Sequence, residues 1–157
     1  MDSVECIPFD SFNLENAKTI VNGIPDDRRI VLLGESTHGT EEYYRTRAEI
    51  TKRLVDERGF NVVVFESDWP FMRQVNEYTH SVDAEPYTPY PDKVVFPSWM
   101  WRNECMYDFF DWCKSRHKLR LHSKQSPQLF GMDCYSLFES KKCVIDFLEQ
   151  HDKEFAI

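Results

Sequence analysis

Three short apolar runs limit most tightly what this chain can fold into: "RIVLLG" (Arg29 to Gly34), "NVVVFE" (Asn61 to Glu66) and "QLFGMD" (Gln128 to Asp133). Each is continuous rather than alternating, and the first two are rich in β-branched residues. That character suits strands buried on both faces, as in a parallel sheet, better than a half-exposed antiparallel ribbon. Helical segments separate them. "NLENAKTIVNGI" is predicted as a helix ahead of the first run. Thr40 to Arg58 offers a hydroxyl for the N-cap, Glu41 and Glu42 in the first turn, and Gly59 where a helix end favours a left-handed residue. Pro70, just after Asp68, can start a helix through "FMRQVNEYTH". Another is predicted through "WRNECMYDFFDWCKSR" and a last one through "KKCVIDFLEQ", with Ser136 and Glu139 spaced as a capping box. Between Ser81 and Trp99 stand four of the eight prolines, Pro86, Pro89, Pro91 and Pro97, so this stretch reads as a long loop. Strand and helix in alternation, joined by right-handed crossovers, give an α/β fold: a mostly parallel sheet flanked by helices.

In such sheets ligands bind beyond the carboxyl ends of the strands, and here every run ends at an acid: Glu35, Glu66 and Asp133. On the helix that follows, Tyr43, Arg47, Ile50 and Leu54 recur as an amphipathic stripe with an arginine inside it. A guanidinium on a buried face must find anions, because desolvating it alone is prohibitive, and the nearest candidates are Glu35 and Glu66. His38 stands just before the helix, where a neighbouring carboxylate would fix its tautomer and raise its basicity. Glu35, His38, Arg47 and Glu66 together could activate water beside a cationic anchor. Taken singly, each has a plainer reading: a strand-end glutamate is often a dipole partner, and a histidine near a helix start is often structural.

Other features point elsewhere or nowhere. Ser36 lacks the second glycine of G-x-S-x-G and reads as a loop residue. There is no HExxH or comparable ligand spacing, so no metal and no cofactor are expected. His80, His117, His122 and His151 stand in polar contexts and read as solvated. Five cysteines without a CxxC pair read as reduced thiols, mostly packed in the core. The stretch Asp92 to Asn103 could line a pocket with Trp99, Trp101 and Arg102. With 27 acidic against 19 basic residues, a phosphate backbone is a poor partner, so no nucleic acid is expected. No apolar run reaches the ~20 residues needed to span a bilayer, and the start lacks the regions of a signal peptide. A cytoplasmic address without membrane association is the expectation.

At "GESTHGTEEYYRTRAEITKRL", "FESDW", "FPSWMWRN" and "GMDCYSL" the chain strongly resembles the erythromycin esterase-like family, with four separated blocks in the right order. The resemblance implies a hydrolase with an α/β core and helical additions, opening an ester or a macrolide lactone with activated water and no required metal. It implies catalytic or binding roles for Glu35, His38, Arg47 and Glu66; Trp99, Trp101, Arg102, Asp133 and Tyr135 are the expected substrate contacts. No covalent intermediate is needed. The expected partner is a small-molecule ester.

Family members run well beyond twice this length and draw a further histidine from their second half. Residues 1–157 are therefore expected to form the N-terminal part of a single domain whose C-terminal half is absent. One sheet face is then expected to lie uncovered, a route to self-association. The alternative to a hydrolase is a non-catalytic binding or structural remnant of the same fold. A metal-dependent hydrolase is the weaker third reading.

Overall fold

A computed structural model of the chain describes residues 14–81, 98–118, 126–152 and 154. The element order is α1 (Leu14–Gly23), α2 (Glu41–Arg58), β1 (Val62–Asp68), α3 (Trp69–His80), α4 (Ser98–Trp101), α5 (Glu104–Lys118), β2 (Gln128–Asp133) and α6 (Leu137–His151). Strands β1 and β2 pair in parallel, Val62 opposite Gln128 and Phe65 opposite Gly131. The α/β class, a parallel sheet flanked by helices, is what the sequence patterning indicates. The proline-rich stretch, along with His122 and Cys6, lies outside the described residues.

Local chemistry accounts for the helix ends. Gly59 closes α2 in the left-handed region at φ 74°, and the Phe60 N–H donates to the Leu54 carbonyl at 3.2 Å. Asp68 precedes α3, with Pro70 in the first turn, where a missing N–H costs nothing. The single helix expected from Trp101 to Arg116 is instead two, because Asn103 interrupts it. Its Oδ1 accepts from the Met106 N–H at 3.0 Å and its Nδ2 donates to the Met100 carbonyl at 3.0 Å, capping α5 and closing α4 with one side chain. At α6, Ser136 takes the N-cap position without a side-chain cap bond, so the expected capping box does not form. Thr40 likewise caps α2 by position only, its hydroxyl lying 3.0 Å from that of Thr37.

One face of the sheet carries the main core. Leu129, Phe109, Phe110, Met72, Val75 and Trp101 form its buried centre, with Val63 and Phe65 of β1 packed against it. Asn76 of α3 ties that helix to β2 by accepting from the Leu129 N–H at 2.8 Å. A second cluster joins α1 to α2 through Ala17, Val21, Ile50 and Leu54. Arg58 closes it by donating to the carbonyls of Val21 (3.1 Å) and Ile24 (2.7 Å). Among the described thiols only Cys113 is buried, and Cys134 is exposed, so the expectation of mostly core cysteines fails. Burial pushes the Cys113 thiol up to about 12.

The first apolar run departs from expectation. Among the described residues, Arg29–Gly34 forms no strand and no backbone hydrogen bond, and the sheet has two strands, not three. Burial still alternates along it: Val31 and Leu33 pack against the α1–α2 cluster, while Ile30 and Leu32 are 77% and 89% exposed. The reason is lateral, since a cleft separates this segment from β1 and a strand needs a partner edge. On the opposite sheet face Val62, Val64, Phe130 and Met132 are exposed, so among the described residues these runs are buried on one side only. Helix α6 buries none of its residues.

Candidate active site

The turn between Gly34 and α2 is bound to the first turn of that helix by hydroxyl groups. Gly39 takes a positive φ of 81°, which reverses the chain, and its N–H donates to the Tyr44 hydroxyl at 3.3 Å. Ser36 Oγ lies 2.8 Å from the Tyr43 hydroxyl. Thus Tyr44, and not Tyr43, is the buried start of the α2 stripe; one position along a helix is a rotation of about 100°. The pair Tyr44 and Arg47, three apart, was the signal that could have found it.

Glu35 is the hub. Its side chain is 5% exposed, and its two oxygens separate two partners: Oε1 lies 2.6 Å from His38 Nδ1, and Oε2 lies 2.6 Å from Arg47 Nη2. A carboxylate on Nδ1 holds the proton there and makes Nε2 the basic nitrogen of the ring. The Arg47 guanidinium sits over the rings of Tyr44 (5.2 Å) and Trp101 (6.0 Å), an aromatic floor that fixes its plane. Trp101 in turn donates from Nε1 to the Glu66 carbonyl at 3.0 Å, joining the site to the end of β1. Burial raises the Tyr44 phenol, opposed by the hydrogen bond from Gly39.

Of the four residues singled out in the sequence, Glu35, His38 and Arg47 are brought into direct contact. Glu66 is not part of that contact: its side chain is exposed and has no ion-pair partner among the described residues. All four line one cleft of about 800 Å³, whose other walls include Leu33, Val63 and Phe65. Trp101 lines it as a buried wall. Arg102, Asp133 and the exposed Tyr135 do not line it, and the side chain of Trp99 lies outside the described residues. Among the described residues no group of three or more His, Cys, Asp and Glu side chains is placed to hold a metal ion, and no helix is long and apolar enough to cross a membrane.

Asp133 lies near the Glu66 and Asp68 carboxylates without lining the cleft itself. Burial, then the Glu66 and Asp68 carboxylates, push its pKa above the usual carboxylate range. A raised acid binds its proton more tightly folded than unfolded, so stability falls as pH climbs from the unfolded toward the folded value, and the penalty is complete above it. Asp133→Asn is therefore expected to raise the thermal midpoint at pH 7 and to leave it unchanged in acid, as followed by circular dichroism. His117 is a correction: it is buried, with its ring 5.0 Å from that of His80. The His80 ring nitrogen Nε2 lies 3.0 Å from Gln128 Nε2, at the start of β2 and away from the cleft.

Comparison with known proteins supplies the family context. The family model described as erythromycin esterase matches residues 55–156, a span holding Glu66 but not Glu35, His38 or Arg47. The protein named "Putative hydrolase YbfO" of Bacillus subtilis (strain 168) is 29% identical over 139 residues, covering 85% of this chain and 28% of that protein. That share of the chain leaves too few residues outside it to omit Glu35 to Arg47. A Bacillus cereus protein of known crystal structure shares the fold at a TM-score of 0.60 and 20% identity, over 92% of this chain and 39% of that one. The chain thus spans well under half the length of these relatives.

Proposed function

Because the chain belongs to the erythromycin esterase family, we propose that it supplies the water-activating part of a hydrolase acting on a carboxylic ester or lactone, without a covalent intermediate. The observation that carries this reading is the single carboxylate of Glu35 holding both His38 Nδ1 and the Arg47 guanidinium at 2.6 Å. His38 Nε2 takes a proton from water as the oxygen attacks the ester carbonyl, and returns it to the alkoxide oxygen as the acyl C–O bond breaks, leaving a carboxylic acid and an alcohol. Arg47, anchored by Glu35 and the aromatic floor, stabilises the oxyanion that develops. The mainly apolar cleft receives the body of the substrate, and the exposed Glu66 carboxylate at its end positions the water. The name of the Bacillus subtilis relative supports hydrolysis as the reaction class. Asp133 and Tyr135, with Trp99 and Arg102, are proposed as outer substrate contacts.

The test compares the protein with its His38→Ala variant on p-nitrophenyl acetate and on a macrolide lactone. His38 is 41% exposed but is the hydrogen-bond partner of the 5%-exposed Glu35, so the variant is expected to stay folded with a loss of about 1–3 kcal/mol and to lose about 100-fold or more in kcat/KM. Equal turnover by both proteins would remove His38 from the chemistry. Lactone binding without turnover by the unaltered protein would favour a non-catalytic binding role for the same cleft.

A further inference from the structure

The walls of the cleft are two lengths of polypeptide rather than a ring of side chains. Arg29, Ile30, Val31, Leu32 and Leu33 line one side, and Val62 to Glu66 of β1 line the other, five residues facing five. Among the described residues neither wall has a backbone partner on the side facing the cleft. Among the described residues Arg29–Gly34 makes no backbone hydrogen bond, and β1 pairs on one edge only, with β2. Two unpaired edges of equal length, about 17 Å at the rise of a strand, are templates for a strand between them.

The side chains above and below the cleft fit the same occupant. Beneath it lie Ala48, Leu54, Val55 and Phe109 from α2 and α5. On the other face, Ile30 and Leu32 on one wall, Val62 and Val64 on the other, and Phe130 and Met132 on β2 are all exposed. A strand lying between the walls would join these rows into one apolar surface, and would itself be apolar on both faces, as strands of covered parallel sheets are.

We propose that the cleft is a strand-insertion site, and that its occupant is an apolar β-strand from the part of the family domain that this chain does not span. The lengths of the relatives argue for that source. The chain superposes over 92% of itself on the Bacillus cereus protein yet covers 39% of it, and it covers 28% of YbfO, so most of each relative lies outside the matched region. Inserted parallel to β1, the strand completes a sheet in the order Arg29–Gly34, inserted strand, β1, β2, and its carboxyl end arrives beside Glu35, His38 and Glu66. This inference stands whether or not the site hydrolyses esters.

Backbone hydrogen exchange measured by mass spectrometry tests it. The chain is mixed with a separately produced polypeptide comprising the part of YbfO outside the matched 139 residues. Exchange in Arg29–Gly34 and Val62–Phe65 is expected to slow by about tenfold or more, with α3 and α5 unchanged. Unchanged exchange overturns the proposal. So does protection that appears without the added polypeptide as the mass doubles in light scattering, which would assign the cleft to a second copy. Leu32→Pro and Leu33→Pro separate pairing from mere unfolding, since neighbouring N–H groups on a strand point to opposite edges and neither residue is in a ladder now. One variant is expected to abolish the protection and the other to keep it; equal behaviour of the two overturns the proposal.

Discussion

Glu35→Gln is expected to lower kcat/KM for ester or lactone hydrolysis by about 100-fold or more and to destabilise the fold by about 1–3 kcal/mol. The glutamate serves two partners at once, one oxygen hydrogen-bonded to His38 Nδ1 and the other ion-paired with the Arg47 guanidinium, both at 2.6 Å. A glutamine of the same shape has one acceptor oxygen and an NH2 group, so it must turn the wrong atom toward one partner. If the NH2 faces His38, the ring loses the tautomer that makes Nε2 basic. If it faces Arg47, a largely buried guanidinium loses its counter-charge, with the side chain only 21% exposed. Steady-state kinetics and urea unfolding measure the two effects separately. Wild-type turnover in the variant would show that the carboxylate serves the fold alone.

Gly131→Ala is the second large effect, and it acts on stability. The β1–β2 register shifts between Phe65 and Asp68, bringing the β1 backbone over Gly131. A Cβ there would stand 2.4 Å from the Ser67 carbonyl oxygen and 2.6 Å from that of Asp68, both backbone atoms with no side chain to swing aside. Ser67 and Asp68 are buried at 1% exposure, and Asp68 accepts from the Ser136 N–H at 3.1 Å, so the bulge has little room to retreat. A loss of about 3 kcal/mol in the urea-unfolding free energy is expected, as for an overpacked core. An unchanged midpoint would mean that β1 relaxes freely at Ser67, and would remove the constraint on the Phe65–Asp68 stretch that carries Glu66.

The parts of this fold legible in the sequence are those governed by local chemistry. Gly59, Pro70 and the apolar runs at Val62–Glu66 and Gln128–Asp133 act through φ, a missing N–H and continuous hydrophobicity, and the elements formed where those signals stand. Asn103 falls inside the helical pattern of its neighbours, and nothing beside it in the sequence reveals that its amide will turn to cap the next helix. The run at Arg29–Gly34 carries the pattern of a strand as clearly as β1 does, but pairing depends on a partner edge and not on the run itself. In the site, a desolvated cation requires an anion within reach, so the buried-face position of Arg47 points to Glu35. Spacing alone leaves Glu35 and Glu66 equal candidates, since which of them Arg47 meets is set by how the Gly34–Thr40 turn folds against α2. Tyr44 is obscured for a narrower reason: two adjacent tyrosines offer two choices of helix face, and the spacing to Arg47 fits both.

The central claim is that Glu35 and His38 work as one unit in hydrolysis. Its most direct test is kcat/KM for the double variant Glu35→Gln/His38→Ala beside both single variants, on the same ester. Residues that act as a unit lose their function once, so the double variant is expected to be no slower than the worse single variant within experimental scatter. Losses that multiply, each variant subtracting its own factor, would contradict the claim and leave Glu35 and His38 as neighbours with separate roles.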